Sequence, residues 1–357
     1  MKSKYEPLGK FIRQVDERNT NLEEHNLLGV SVQKHFIPSI ANTVGTDFSK
    51  YKLVRKGQFT YIPDTSRRGD KIGIAFLDDY ENGLVSNIYT VFEICDTEKL
   101  IPEYLMLWFM RPEFDRYARY KSHGSVREIF DWEEMCNVML PVPPIERQRK
   151  IVTAYKTITD RIALKQRIND NLEAAAQWIY QRLFVNNAQK SNWKTGTVGD
   201  VLQLQRGHDL PRTKMNGGLY PVAGSIETIG WHNEYTTIAP VIVMGRSGNI
   251  GNPRIYFCNC WAHNTSLYVK EFYSSEPFWV FFLLKNLNYD GFVGGSAVPT
   301  LNRNDVHAYE LKIPPIELQK RFAKQAYPIF MNIDKNNHEI TKLKGLRNIV
   351  LSTISSH

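Results

Sequence analysis

Apolar residues recur along 151–183 at alternating steps of four and three: Ile151, Tyr155, Ile158, Ile162, Leu172, Ala176, Ile179 and Leu183, with Lys165 and Asn169 in the two remaining places. That period marks a narrow stripe on a helix that packs against a partner helix. The stripe returns 171 residues later as Phe322, Ala326, Ile329, Ile333, Ile340, Leu343, Val350 and Ile354, with Asn336 and Arg347 as its polar exceptions. Each predicted helix runs for about 40 residues, or about 60 Å, which is longer than one small domain covers. The obvious partner for one stripe is therefore the other. In an antiparallel pair equivalent places meet only near the midpoint, which is where Lys165 and Asn336 lie, and a polar residue there can fix register. Pro328 falls inside the second stripe and predicts a kink or a fresh helix start.

Each stripe follows a shared lead-in. Pro143-Pro144-Ile145-Glu146-Arg147-Gln148-Arg149-Lys150 is echoed by Pro314-Pro315-Ile316-Glu317-Leu318-Gln319-Lys320-Arg321, and the similarity extends upstream, Gly124 to Val142 matching Ser296 to Ile313. Further back, Leu8 to Ile12 sits opposite Val198 to Leu202, and Lys34 to Pro38 opposite Gly207 to Pro211. A self-similarity of this period constrains the fold before any single motif does. The chain divides into a first domain, 1–142, a helical spacer, 143–187, a second domain, 188–313, and a second spacer, 314–357, each domain being of ordinary size. The expected class is α+β: two similar domains joined by two long helices that pair as an antiparallel coiled coil, with a pseudo-two-fold internal repeat. Two like domains held apart in this way suit two separated half-sites on DNA, with one chain supplying both halves.

The balance of residues adds less. Of 357 residues 42% are hydrophobic and 12% aromatic, as in a packed globular protein. The densest apolar run, Phe278 to Leu284, is far short of the roughly 18 residues that cross a bilayer, and four cysteines form no disulfide framework. A reducing cytoplasm is the expected compartment. Forty-five Lys and Arg against 37 Asp and Glu leave a net charge of +8, which permits a polyanionic partner without requiring one.

Pro-Pro-Ile-Glu-x-Gln followed by a long helix, twice, after two variable domains, resembles the specificity subunit of type I restriction–modification enzymes. The likeness covers essentially the whole chain. Trp193 to Val201 resembles that family's entry into a second target-recognition domain, and Tyr5 to Ile12 the entry into the first. The resemblance implies double-stranded DNA as ligand, read as a bipartite gapped target with one half per domain. It also implies two DNA methyltransferase (modification) subunits docked on the chain, and restriction subunits that add ATP-driven translocation and cleavage.

Catalytic constellations are not visible in the sequence. Val142 and Ile313 precede the two Pro-Pro pairs where an adenine methyltransferase has Asn or Asp to hold a flipped base. Pro63-Asp64 has no Asp/Glu-x-Lys shortly after it, and no Gly-x4-Gly-Lys-Ser/Thr loop is present for ATP. Gly245 to Gly251 predicts a tight turn between strands rather than a nucleotide cradle. Cys258 and Cys260 are one residue apart, unlike a zinc site, and are expected on a strand. No cofactor, metal or catalytic residue is expected. Two other readings remain: a coiled-coil adaptor joining two protein-binding domains, and the recognition subunit of a type II-like restriction–modification system.

Phosphate contacts call for Lys and Arg, and base reading for Arg, Lys, Asn, Gln or Ser on projecting loops. In the first domain these are Lys34, Arg67, Arg68, Lys71, Lys121 and Arg127; in the second, Arg206, His208, Lys214, Arg246, Ser247, Asn249 and Arg303. Lys34 and His35 are expected to correspond to Arg206–His208, and Arg67-Arg68-Gly69 to Arg246-Ser247-Gly248.

Overall fold

A computed structural model describes residues 5–40, 44–66, 71–123, 128–215, 217–294 and 300–354. Its helices are α1 (Pro102–Phe109), α2 (Pro112–Lys121), α3 (Trp132–Cys136), α4 (Ile145–Tyr180), α5 (Pro277–Lys285), α6 (Arg303–His307) and α7 (Ile316–Thr353). None is long and apolar enough to cross a membrane. Two compact units divide the chain, and the division cuts through both long helices: unit 1 holds 1–163 with 340–357, and unit 2 holds 164–339.

In unit 1 a four-stranded antiparallel sheet runs in the order Ile12–Val15, Thr90–Ile94, Phe59–Tyr61, Ile74–Phe76. Phe59, Phe92 and Phe109 pack together beneath it, Phe59 stacking on Phe92 at 5.0 Å. Unit 2 repeats the order with Leu202–Arg206, Ser266–Phe272, Val241–Gly245, Gly251–Tyr256. The apolar run of the sequence is α5, buried on every side from Phe278 to Leu284, as expected of a helix with no polar face.

The shared lead-in has a physical reason. Tyr5–Pro7 pairs antiparallel with Met139–Pro141, and Lys194–Thr197 with Glu310–Ile313, so each unit is closed by the strand that precedes its Pro-Pro pair. The prolines end the ladder, having no N–H, and preset the backbone for the first turn of the long helix. The glutamine four residues on is an internal clasp. Gln148 is fully buried; its Nε2 donates to the carbonyls of Pro143 and Lys99, both at 2.8 Å, and its Oε1 accepts from the Ile101 amide at 2.9 Å, at the cap of α1. Gln319 repeats this with the Pro314 carbonyl at 2.9 Å and the Glu276 amide, at the cap of α5, at 3.0 Å.

The long helices pair antiparallel within each unit. In unit 1, Ile158 and Ile162 of α4 meet Ile340 and Leu343 of α7, while Ile354 enters the unit's main core. In unit 2, Lys165 donates to Asn336 at 2.9 Å and pairs with Glu339 at 2.8 Å, and Asn336 donates to Asn169 at 2.8 Å. The stripe is not the whole contact: Ala176, Tyr180 and Phe184 join Phe322, Ala326 and Phe330 in one core with α5. Pro328 lies inside an uninterrupted α7, so the fresh helix start expected there does not occur. Phe322 and Ala326 before it and Phe330 after it are buried in that core, which offsets the hydrogen bond that proline removes.

Candidate nucleic-acid interface

Three arginines of unit 2 converge. Arg206 ends the strand Leu202–Arg206 opposite Leu267, Arg246 follows the strand Val241–Gly245, and Arg303 opens α6. The Arg246 amide donates to Thr265 at 3.0 Å, and its carbonyl accepts from Leu301 at 2.8 Å, so the backbone that carries this side chain is tied on both sides. Together with Leu267, Thr300, Leu301 and Asn302 the three arginines line an open cleft of about 560 Å³. No carboxylate among the described residues forms an ion pair with any of them, whereas Arg13, Arg18, Arg55, Arg116 and Arg119 of unit 1 are all paired. Burial, and then the neighbouring Arg206 charge, pull the Arg246 guanidinium below its ordinary value. His307, held likewise below the usual imidazole value by burial and by Arg303, accepts at Nε2 from the Leu204 amide at 2.8 Å.

The turn between Gly245 and Gly251 joins two antiparallel strands, as its glycines predicted. A Cβ on Gly245 would lie 1.6 Å from the Asn249 carbonyl oxygen, and Gly248 and Gly251 hold φ of 78° and 73°. Ser247 and Asn249 are half-buried in this turn, Asn249 accepting from Asn252 at 3.3 Å. His208 is exposed beyond Arg206, its ring 6.3 Å from Trp261 and 6.2 Å from Tyr268. Lys214 is exposed, and its carbonyl lies 3.1 Å from Nδ1 of His232, whose ring meets Trp261 edge-on at 5.2 Å. Trp261 and His232 thus belong to the same surface as His208 and Lys214, though neither followed from charge or glycine in the sequence. Cys258 is exposed and Cys260 buried, its Sγ 3.1 Å from the Thr237 hydroxyl. Both lie in the connection between two strands, not on one.

In unit 1 the expected cations are placed differently. Lys34 is no surface cation: 6% exposed, it donates to Asp115 at 2.7 Å and to the Phe109 carbonyl, and its Nζ lies 5.2 Å from the Phe114 ring centroid. That spends its charge inside the domain and corrects its expected role on DNA. Lys71 is exposed, and Lys121, at the end of α2, pairs with Glu134 at 3.3 Å. Arg67, Arg68 and Arg127 lie outside the described residues.

The expected correspondences also change. Ile12 pairs with Ile94 as Leu202 pairs with Phe272, which sets Arg206 against Asp16 rather than Lys34. Phe130 donates to the Pro63 carbonyl as Leu301 donates to that of Arg246, and Asp131 caps α3 as Asn302 caps α6. Pro63 and Trp132 therefore stand where unit 2 has Arg246 and Arg303.

The model of the type I restriction modification DNA specificity domain matches the chain twice, at 10–174 and 190–345. The chain is 22% identical over 300 residues to the type I restriction enzyme MjaIX specificity subunit of Methanocaldococcus jannaschii, covering 72% of this chain and 69% of that protein. It is 27% identical over 138 residues to the HindI specificity subunit of Haemophilus influenzae, across 38% of this chain and 29% of that one. The crystal structure of the type I restriction–modification S subunit from M. genitalium superposes with a TM-score of 0.58 at 14% identity, covering 98% of this chain and 95% of the other, and shares its fold. With both repeats matched across most of its length, the chain belongs to the type I restriction–modification DNA specificity family.

Proposed function

We propose that this chain reads a two-part, gapped and asymmetric duplex target, one part per domain, and acts as the scaffold of a type I restriction–modification complex without supplying a catalytic group of its own. The recognition modules are 1–142 and 188–313, and the helical segments 143–187 and 314–357 set the gap between the parts. Two DNA methyltransferase subunits and the ATP-dependent restriction subunits assemble on it in the cytoplasm. The observation that carries the DNA reading is the cleft of Arg206, Arg246 and Arg303, three arginines without a carboxylate partner among the described residues, on a domain of the DNA-specificity family. His208, Lys214, Ser247 and Asn249 contact DNA beside it in the second domain; Lys71, Lys121, Arg67, Arg68 and Arg127 do so in the first. Because the two domains present different side chains at corresponding places, the two half-sites differ.

Base-modification sequencing of host DNA with and without the gene tests this reading. Methylation at a gapped two-part motif is expected to vanish on deletion. Exchange of one recognition module is expected to change one half of the motif and leave the other. Loss of methylation at an undivided motif would refute the one-part-per-domain assignment.

A further inference from the structure

The two domains act as controls for each other. The same four-stranded order and the same cap geometry occur in both, yet where unit 2 carries Arg206, Arg246 and Arg303, unit 1 carries Asp16, Pro63 and Trp132. Asp16 pairs with Arg18 and Lys52, and Trp132 packs 5.6 Å from Phe92. This fold is therefore completed without a cation at any of the three places. Folding does not explain the arginines; like charges gathered in one cleft with no counter-ion among the described residues oppose it.

Their arrangement selects a ligand. A guanine edge is read by one arginine through two parallel hydrogen bonds, and the remaining two would add repulsion without an acceptor. A phosphodiester offers unesterified oxygens pointing outward and a full negative charge, which several guanidiniums share. Leu267 and Leu301, both buried, line the same cleft and place low-dielectric protein on one side of the charges, which strengthens that attraction.

We propose that the Arg206–Arg246–Arg303 cleft seats a backbone phosphate of the DNA bound by the second domain, fixing the position of that domain on the duplex while other side chains read the bases. The assignment rests on the DNA reading given above.

The test uses the full chain in complex with its methyltransferase subunits and a 30-base-pair duplex, carrying either the methylated motif or a scrambled one. Affinity is followed from 50 to 200 mM salt for the wild type, Arg206→Gln, Arg246→Gln, Arg303→Gln and the triple variant. Loss of the contact to one phosphate lowers the salt slope by about 0.9, so the fourfold rise in salt costs about 3.5-fold less affinity for the triple variant than for the wild type, and each single variant, which leaves two arginines on the same phosphate, lies between the two. The loss is expected on both duplexes, with the methylated motif unchanged and with Lys in place of Arg restoring most of the slope. Arg206→Asp and Arg303→Trp, which insert residues the same fold already accepts in unit 1, are expected to lower the slope as well. An unchanged slope overturns the proposal, and so does a relaxed motif at one base pair with the slope intact, since that means base reading. A wild-type complex that binds neither duplex in a salt-dependent way sinks the DNA reading itself, whereas full wild-type binding with an unaltered slope in the variants sinks only the cleft.

Discussion

Replacing Gln148 by leucine keeps the volume of the side chain and removes three hydrogen bonds at once. The carbonyls of Pro143 and Lys99 lose their donor, and the Ile101 amide loses its acceptor. The Pro143 contact is buried while the other two are only partly so, which sets the cost at about 1 kcal/mol for each bond. About 3 kcal/mol corresponds to an increase of about 150-fold in the opening of unit 1. Gln319→Leu removes two bonds, so unit 2 is expected to open about 30-fold more often. Gln148→Glu is expected to cost more than leucine, because it buries a carboxylate facing two carbonyl oxygens. Hydrogen exchange followed by peptide separates the units, the slowest amides near Phe59 and Phe92 reporting unit 1 and those of α5 reporting unit 2. Each variant is expected to change its own unit alone. A change under about tenfold for Gln148→Leu, or a glutamate milder than leucine, would refute the view that this motif residue is a neutral donor–acceptor clasp.

Lys34→Met is expected to destabilise unit 1 by about 3–5 kcal/mol, since it strands the buried Asp115 carboxylate, and Asp115→Leu added to it is expected to recover much of the loss in a double-mutant cycle. Conversely, Lys165→Leu combined with Asn336→Leu is expected to raise the unfolding temperature by replacing a partly buried polar network with apolar contact, and a lower temperature would show that network to be a net stabiliser. For His307, whose proton affinity is lowered in the fold, the unfolded chain binds the proton more readily. Its contribution is complete above the unfolded pKa of about 6.5 and is lost as pH falls through that value toward the lower folded one. Thermal unfolding of unit 2 between pH 5 and 7.5 is therefore expected to decline more steeply in wild type than in His307→Gln, and parallel profiles would rule out this origin.

Periodicity and repetition carried the architecture. The stripe from Ile151 to Leu183, its copy from Phe322 to Ile354, and the doubled Pro-Pro lead-in each follow from backbone physics that any sequence must obey to make a long paired helix. What the stripe could not reveal is that its outer ends belong to domain cores, because Tyr180 and Phe330, buried beside it, sit off the four–three rhythm. The interface was harder to read, since a loop lysine has the same sequence appearance whether it meets a phosphate or, as Lys34 does, a buried carboxylate. The correspondence of the arginines was nonetheless present: the 190-residue offset between Leu8 and Val198, carried as far as Arg206, leads to Asp16, and the 171-residue offset of the Pro-Pro pairs leads from Arg303 to Trp132. Trp261 and His232 gave no advance sign, because what brings them to His208 is strand pairing between distant segments.

The division of both long helices between the units has a consequence for synthesis. Unit 2 is one uninterrupted stretch, 164–339, inserted into unit 1, whose core is completed by Ile354 and whose Ile158 and Ile162 are covered only when Ile340 and Leu343 arrive. At translation rates of about 5–20 residues per second the ribosome needs roughly 10–35 s to make that insertion. Over that interval the first domain stands unfinished, and the second has all its residues at the end of it, before 340–357 are made to complete the first. The order in which the two become competent is thus the reverse of the order in which they leave the ribosome, and the apolar face of α4 is the surface that a nascent-chain chaperone would have to shield in the meantime.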